Sequence, residues 1–316
     1  MDNGVALVAD IGRQSVRFGL TGGGDDVEPR EIKRFSNADH QTFTSALVAY
    51  LAGVGLRDAR LPSVLAVAGA VRGDLINLTG SRWYISLAGV EAVLREKPVA
   101  LNECAANALA LTRLPPTTFT ALPGAAPKPI APGGNYAVIG VGTGLGVAAL
   151  ISADGRHVPV QSEAGHIGFA PQNGDEERFA TFCKARGGLV EVETLLSANG
   201  LLLAYEALSG GKRLPAPEDV TRNIGRDPIA GAVVRMFVEH LGAFVGDLVL
   251  TFDAWDGVFL TGAIARALEP QLKQPGFRKR MEARTAFRRQ LAETPVALVN
   301  RADLELIGAA AAIRNA

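Results

Sequence analysis

Residues 135–151, NYAVIGVGTGLGVAALI, constrain the fold of this chain more than any other stretch. Two short apolar runs, 136–141 and 147–151, flank the turn Gly142-Thr143-Gly144-Leu145-Gly146. Runs this short, rich in Val, Ile and Ala and bounded by glycine, read as buried strands. Glycine at every second position leaves the turn without Cβ atoms, so its amides can converge on an anion. No Gly-Lys-Ser/Thr ends the turn, which excludes a Walker A loop. Position 147 is Val and a strand follows where a helix is required, which excludes a dinucleotide fingerprint. Two readings stay open from these residues: an anion cradle, or a hairpin that needs glycine only for its backbone angles.

Residues 5–20 repeat the layout. A buried strand ends at Asp10-Ile11, then come Gly12, the polar turn Arg13-Gln14-Ser15 and a second strand over 16–20. Chance aside, the echo suggests two similar halves, each opening on strand, turn, strand. At 316 residues the chain exceeds the size at which one core stops growing, so two domains are expected. Six of the 17 prolines fall within 115–132 and mark a connection that no helix crosses. The expected division is a smaller α/β domain of residues 1–114 plus 302–316, and a larger α/β domain of residues 115–301.

In the first half, Phe43, Leu47, Leu51 and Val54 predict a helix over 41–53, and strands are expected at 64–70, 75–78 and 99–101. Asn102 then stands where a helix begins, with Glu103 in its first turn and an Ala/Leu-rich run to position 114. In the second half a loop carries Glu163-Ala164-Gly165-His166, and a helix over 189–196 bears Glu193. A long helix follows a polar loop at 209–228, its stripe being Ile229, Val233, Phe237, Leu241, Val245 and Leu248. A strand at 258–260 runs into Gly262, and an Ala-rich helix over 306–313 is suited to close packing.

Lys+Arg and Asp+Glu both number 32, and the pI is near 6.9. No global field therefore draws nucleic acid or an anionic membrane. The local basic run of Arg278, Lys279, Arg280, Arg284, Arg288 and Arg289 reads as a solvated helix face. Cys104 and Cys183, the only cysteines, support neither a disulfide framework nor a zinc site and fit a reducing compartment. The start lacks a positive n-region, and no apolar run approaches ~20 residues, so a soluble cytoplasmic protein is expected.

Asp10 with Gly12, Asn102 with Glu103, the turn 142–146 and Gly262 all stand at strand ends. Ligands of α/β sheets collect outside the carboxyl ends of strands, which predicts that these residues meet in one cleft. Two glycine turns from two domains suit a polyphosphate, and phosphoryl transfer asks for positioning, charge stabilisation and a base. Glu103 is the candidate base, since a helix N-terminus favours the ionised carboxylate that accepts a proton. Local sequence equally allows Asn102 to be a cap and Glu103 a dipole partner. Glu163 and His166 suit a hydrogen-bonding loop, because Gly165 between them argues against a helical metal pair, and no protein metal site is expected. His40, His157 and His240 read as surface or structural residues.

The order Asp-Ile-Gly, Leu-Asn-Glu, Gly-Thr-Gly-Leu-Gly-Val, Glu-Ala-Gly-His-Ile-Gly-Phe-Ala-Pro and Leu-Ser-Ala-Asn-Gly-Leu resembles bacterial ATP-dependent glucokinases over nearly the whole chain. The resemblance implies an actin-like ATPase (ribonuclease H-like, hexokinase-type) α/β fold of two domains with an interdomain cleft. It also implies a hexose substrate, ATP and Mg2+ as cofactors, and a homodimer. By the same resemblance, Asn102, Glu163, His166 and Glu193 would hold sugar hydroxyls, and Glu103 would take the proton from the 6-hydroxyl. Asp10, Gly12, Gly142, Thr143 and Gly144 would face the phosphates and magnesium, and Gly262 would lie by the nucleoside. The zinc-binding cysteine cluster of related repressor-type sugar kinases is missing.

Several positions depart from the family pattern. Gly-Gly-Thr-Asn is Gly12-Arg13-Gln14-Ser15, the Asp base is Glu103, and Thr-Asn before the aromatic turn is Thr79-Gly80. Glu-Gly-Gly-His-x-Asp becomes Glu163-Ala164-Gly165-His166-Ile167-Gly168, Ser-Gly-x-Gly becomes Ser197-Ala198-Asn199-Gly200, and Gly-Gly becomes Gly262-Ala263. The alternative reading is a degenerate paralogue that binds a sugar or a partner with little turnover. A third is another actin-like enzyme, such as an acid kinase or ATPase.

Overall fold

The computed structural model describes residues 4–22, 27–78 and 81–313. The chain divides into two compact units, residues 1–115 with 301–316, and residues 116–300, each with its own hydrophobic core.

The first unit is built on a five-stranded sheet. Strands β1 (Ala6–Ile11), β2 (Ser15–Thr21) and β3 (Arg30–Ser36) form an antiparallel meander. On its other edge β1 pairs in parallel with β4 (Ser63–Val67). A small hairpin, β5 (Leu75–Asn77) and β6 (Tyr84–Ser86), precedes β7 (Val99–Asn102), which pairs in parallel with β4. The sheet order is β3-β2-β1-β4-β7. All of β4 is buried, as expected of a parallel strand covered on both faces. The helix Phe43–Gly53, capped by Thr42, lays Phe43, Leu47, Tyr50 and Leu51 into the core, where Tyr50 stacks on Phe18 at 5.1 Å between centroids.

The second unit repeats this topology. Strands β8 (Phe119–Ala121), β9 (Tyr136–Val141), β10 (Leu145–Ala153), β11 (Arg156–Ser162), β12 (Gly257–Thr261) and β13 (Val296–Val299) give the order β11-β10-β9-β12-β13-β8. Here β9, β10 and β11 form the meander, while β9, β12 and β13 run parallel. The two hairpins that echo each other in sequence thus hold the same place in their sheets.

Glycine sets the closest helix contacts in both units. In the first, Gly308 of the helix Leu304–Ala312 lies so close to the helix Glu103–Ala110 that a Cβ would stand 1.8 Å from the Ala106 carbonyl oxygen. In the second, Gly242 and Gly246 of the helix Pro228–Phe252 admit the helix Pro275–Met281, a Cβ at Gly242 falling 2.1 Å from the Phe277 oxygen. No helix among the described residues is long and apolar enough to cross a membrane.

The basic run is the solvated face expected only at Lys279, Arg288 and Arg289, which are exposed; the other three turn inward. Arg278 is 8% exposed and donates to the carbonyls of Pro123, Leu291 and Thr294. Arg280 pairs with the fully buried Glu176, and Arg284 with Asp247. Unfilled carbonyls and a buried carboxylate draw these guanidiniums inward, because an unpaired buried polar group costs more than ordering the side chain.

Substituting Gly308→Val should therefore destabilise the chain by about 3 kcal/mol or more in urea unfolding, since the methyls must displace a helix backbone. Gly174→Ala, where a Cβ meets no atom within 4 Å, should leave stability within about 1 kcal/mol of the parent.

Candidate functional site

In the first unit, Gly12, Gly69 and Asn102-Glu103 follow the carboxyl ends of the parallel strands β1, β4 and β7. Asn102 caps the helix that Glu103 begins: its Oδ1 accepts from the amides of Cys104 (2.8 Å) and Ala105 (3.4 Å). Its Nδ2 donates to the Gly69 carbonyl at 3.1 Å. The oxygen is thereby used by the cap, and one N–H remains for a ligand. Glu103 is half-buried at the first position of this helix, where the N-terminal dipole favours a carboxylate.

The turn after β1 is closed on itself. The Gly12 amide donates to the Ser15 carbonyl at 3.0 Å, and Asn37 Nδ2 donates to the Gly12 and Arg13 carbonyls. Arg13 is exposed, so its side chain does not fill the turn. Asp10 accepts from Arg17 Nε at 2.8 Å, and Arg17 also pairs with Glu305 at 3.0 Å. Burial, reinforced by the Glu305 charge and opposed by Arg17, pushes the Asp10 carboxyl up to about 6. Thr79-Gly80 lie outside the described residues.

In the second unit the sequence-selected residues gather around the turn 142–146. The Gly142 amide donates to the Gly144 carbonyl at 3.0 Å, and the Gly142 carbonyl accepts from Ala198 at 2.9 Å. The Leu145 amide donates to Glu193 Oε2 at 2.6 Å. Among the described residues the amides of exposed Thr143 and of Gly144 donate to nothing, so they are the pair available to an anion. The turn is therefore less of a cradle than its glycines suggest, and Gly144 has a second reason to be glycine: a Cβ there would stand 2.6 Å from Glu193 Oε2. Gly262 combines a φ of +95° with a Cβ position 2.2 Å from the Val141 carbonyl oxygen, which fixes the end of β12 against the start of the turn.

The loop after β11 reaches the same place. A Cβ at Gly165 would stand 2.3 Å from the Leu145 carbonyl oxygen, so this loop too packs at backbone distance. It carries Glu163 and His166, both exposed. His166 Nδ1 lies 2.7 Å from Glu191 Oε2, and this bond, opposed by desolvation and aided by the charges of Glu193, Glu191 and Glu163, raises the imidazole pKa.

Glu191 is not among the candidates the sequence offers, since it falls inside the helix expected over 189–196. The helix is only Val192–Leu195, because residues 190 and 191 are extended against 167–169 through Phe169 N–H to Val190 O and a Gly168–Glu191 bridge, and Val192 N–H donates to Ile167 O. The alternation Val190-Glu191-Val192 was the available signal. Among the described residues no group of three or more His, Cys, Asp or Glu is arranged to hold a metal ion.

A model of the family described as Glucokinase matches residues 7–316. The chain belongs to the glucokinase family. A glucokinase of Stenotrophomonas maltophilia (strain K279a) is 37% identical over 315 residues, covering 96% of this chain and 93% of that one. Among solved structures, a glucokinase from an Antarctic psychrotroph shares the fold at a TM-score of 0.86 with 26% identity, covering 99% of each chain. A ROK family glucokinase from Streptomyces griseus, solved with glucose and AMPPNP, is 19% identical and shares the fold at 0.64, covering 99% of this chain and 100% of that one. The fold is thus the actin-like α/β fold of glucokinases, and the chain is a glucose-phosphorylating sugar kinase of that family.

Gly144→Val should displace Glu193 from the Leu145 amide, raising KM for both nucleotide and glucose while the thermal midpoint falls by only a few degrees. Glu193→Gln, which keeps the shape but removes the charge, should reproduce the glucose defect. A Gly144→Val variant with only a nucleotide defect would contradict this coupling.

Proposed function

We propose that this kinase transfers the γ-phosphate of ATP to the 6-hydroxyl of glucose or a similar hexose. The observation that carries the reading is the Leu145–Glu193 bond, which joins the glycine turn and its two open amides to a carboxylate that neighbours His166 within one unit. The glucose and AMPPNP held by the Streptomyces griseus glucokinase support the same pair of ligands here.

In this proposal Glu163 and Glu193 accept hydrogen bonds from sugar hydroxyls, and His166 meets a further hydroxyl through Nε2, the ring nitrogen that Glu191 leaves open. Asn102 contributes its remaining N–H. The amides of Thr143 and Gly144 receive phosphate oxygens, Gly12 closes the companion turn, and Gly262 borders the nucleoside. Glu103 accepts the 6-hydroxyl proton as the oxygen attacks the γ-phosphorus and ADP departs. Magnesium would neutralise phosphate charge. It commonly takes one or two carboxylates and otherwise phosphates and water, a demand that Asp10, ionised above about pH 6, fits. The chain is further proposed to be a cytoplasmic homodimer of two domains, 1–114 plus 302–316 and 115–301, on the family resemblance and its two free thiols.

A coupled ADP-release assay over a panel of hexoses tests the reading. Glucose should turn over, and Glu103→Gln should lower kcat by about a hundredfold or more with glucose KM little changed. Glucose binding by calorimetry without turnover of any hexose would instead favour the degenerate paralogue.

A further inference from the structure

We propose that Glu191 is a positioning residue for His166, accepting the Nδ1 hydrogen so that Nε2 is the nitrogen offered to a sugar hydroxyl. The inference rests on His166 being a sugar ligand and adds to it the group that decides how the ring is presented.

A carboxylate only accepts hydrogen bonds, so the 2.7 Å contact places a hydrogen on Nδ1. The ring is then either the Nδ1–H tautomer, with Nε2 an acceptor, or the imidazolium, with Nε2 a donor. The opposite neutral tautomer is excluded while the contact lasts.

Glu191 is itself held in place. Its amide donates to Thr194 Oγ1 at 3.0 Å, it caps the helix Val192–Leu195, and residues on both sides of it are hydrogen-bonded to the loop 167–169. The charged groups acting on the ring are Glu191, Glu193 and Glu163, all carboxylates, from two chain segments. Together they favour the imidazolium, so the ring keeps its second proton, and Nε2 its donor role, to higher pH than an isolated histidine.

Gly168 sharpens the point. It lies directly across the antiparallel bridge from Glu191, and a Cβ there would meet no atom within 4 Å. Opposed residues of an antiparallel pair project to the same face, so a carboxylate placed at 168 would stand beside the one at 191. The structure has one carboxylate at this bridge and open room for a second.

The sign of the pH effect follows. Because the partners raise the His166 pKa, the donor form is fully present below the ordinary value and is lost as pH rises through the higher folded value. Removing the Glu191 charge moves that loss to lower pH.

The test combines NMR of the His166 ring with glucose kinetics. In the parent protein the ring should be protonated on Nδ1 and titrate above 6.5. In Glu191→Gln the titration should shift down, and glucose KM near neutral pH should rise about tenfold with kcat little changed. Adding Gly168→Asp to Glu191→Gln should restore both the titration and KM, which a purely structural role for Glu191 would not allow. A parent ring protonated on Nε2 alone, or titrating at or below 6.5, would overturn the proposal without any variant. So would an unchanged KM in Glu191→Gln when His166→Ala raises KM. An unchanged KM in His166→Ala would instead overturn the sugar-ligand reading on which the proposal rests.

Discussion

The amide of Leu145 donating to the carboxylate of Glu193 is the contact on which the second unit's site depends. Three glycines exist to permit the surrounding approach. A side chain at Gly144 would strike Glu193, one at Gly165 would strike the Leu145 carbonyl, and one at Gly200 would come within 2.0 Å of the Leu195 carbonyl. Turn, loop and helix start are therefore packed backbone to backbone, and a charge-assisted hydrogen bond fixes the separation. Whatever occupies the turn is therefore felt by the Glu193 carboxylate.

The repeated sheet explains why such groups stand where they do. In each unit three parallel strands end at one edge, so the segments leaving them are neighbours by topology before any side chain is chosen. The first unit uses that edge for Gly12, Gly69 and the capped helix of Glu103, and the second uses it for the glycine turn and Gly262. The local solutions differ. Both turns carry a backbone bond from their first glycine, Gly12 to Ser15 and Gly142 to Gly144, but the turn after β1 is further held by Asn37 and the turn after β9 by a carboxylate.

The buried elements were legible in the sequence because parallel strands and helix stripes are continuous or periodic in apolar residues. Strands β1, β2, β4, β9 and β12 follow this rule. The edge strands did not. Arg30–Ser36 carries two arginines, a lysine and a glutamate, and Arg156–Ser162 contains Pro159, features that protect an edge from pairing and also erase its apolar signal. At the site, residue types were readable but their partners were not. The sequence leaves open whether Asn102 caps or binds, while the structure shows the cap. The sequence cannot show that Asp10 is met by Arg17, nor that Glu191 leaves its expected helix to face His166, because each pairing depends on segments brought together only by the fold.

The helix Leu304–Ala312 ties the first unit to the order in which the chain is made. It packs through Gly308 on the helix that begins with Glu103, and it supplies Glu305 to the pair formed by Asp10 and Arg17. Residues 116–300 form an unbroken segment and can close as soon as they emerge from the ribosome, whereas the first unit must wait for some two hundred more residues before its last helix arrives. During vectorial synthesis the older unit is thus the later to be completed. Until then the helix that carries Glu103 keeps one face uncovered, so the carboxylate at its start is the last of the candidate groups to gain a fixed support.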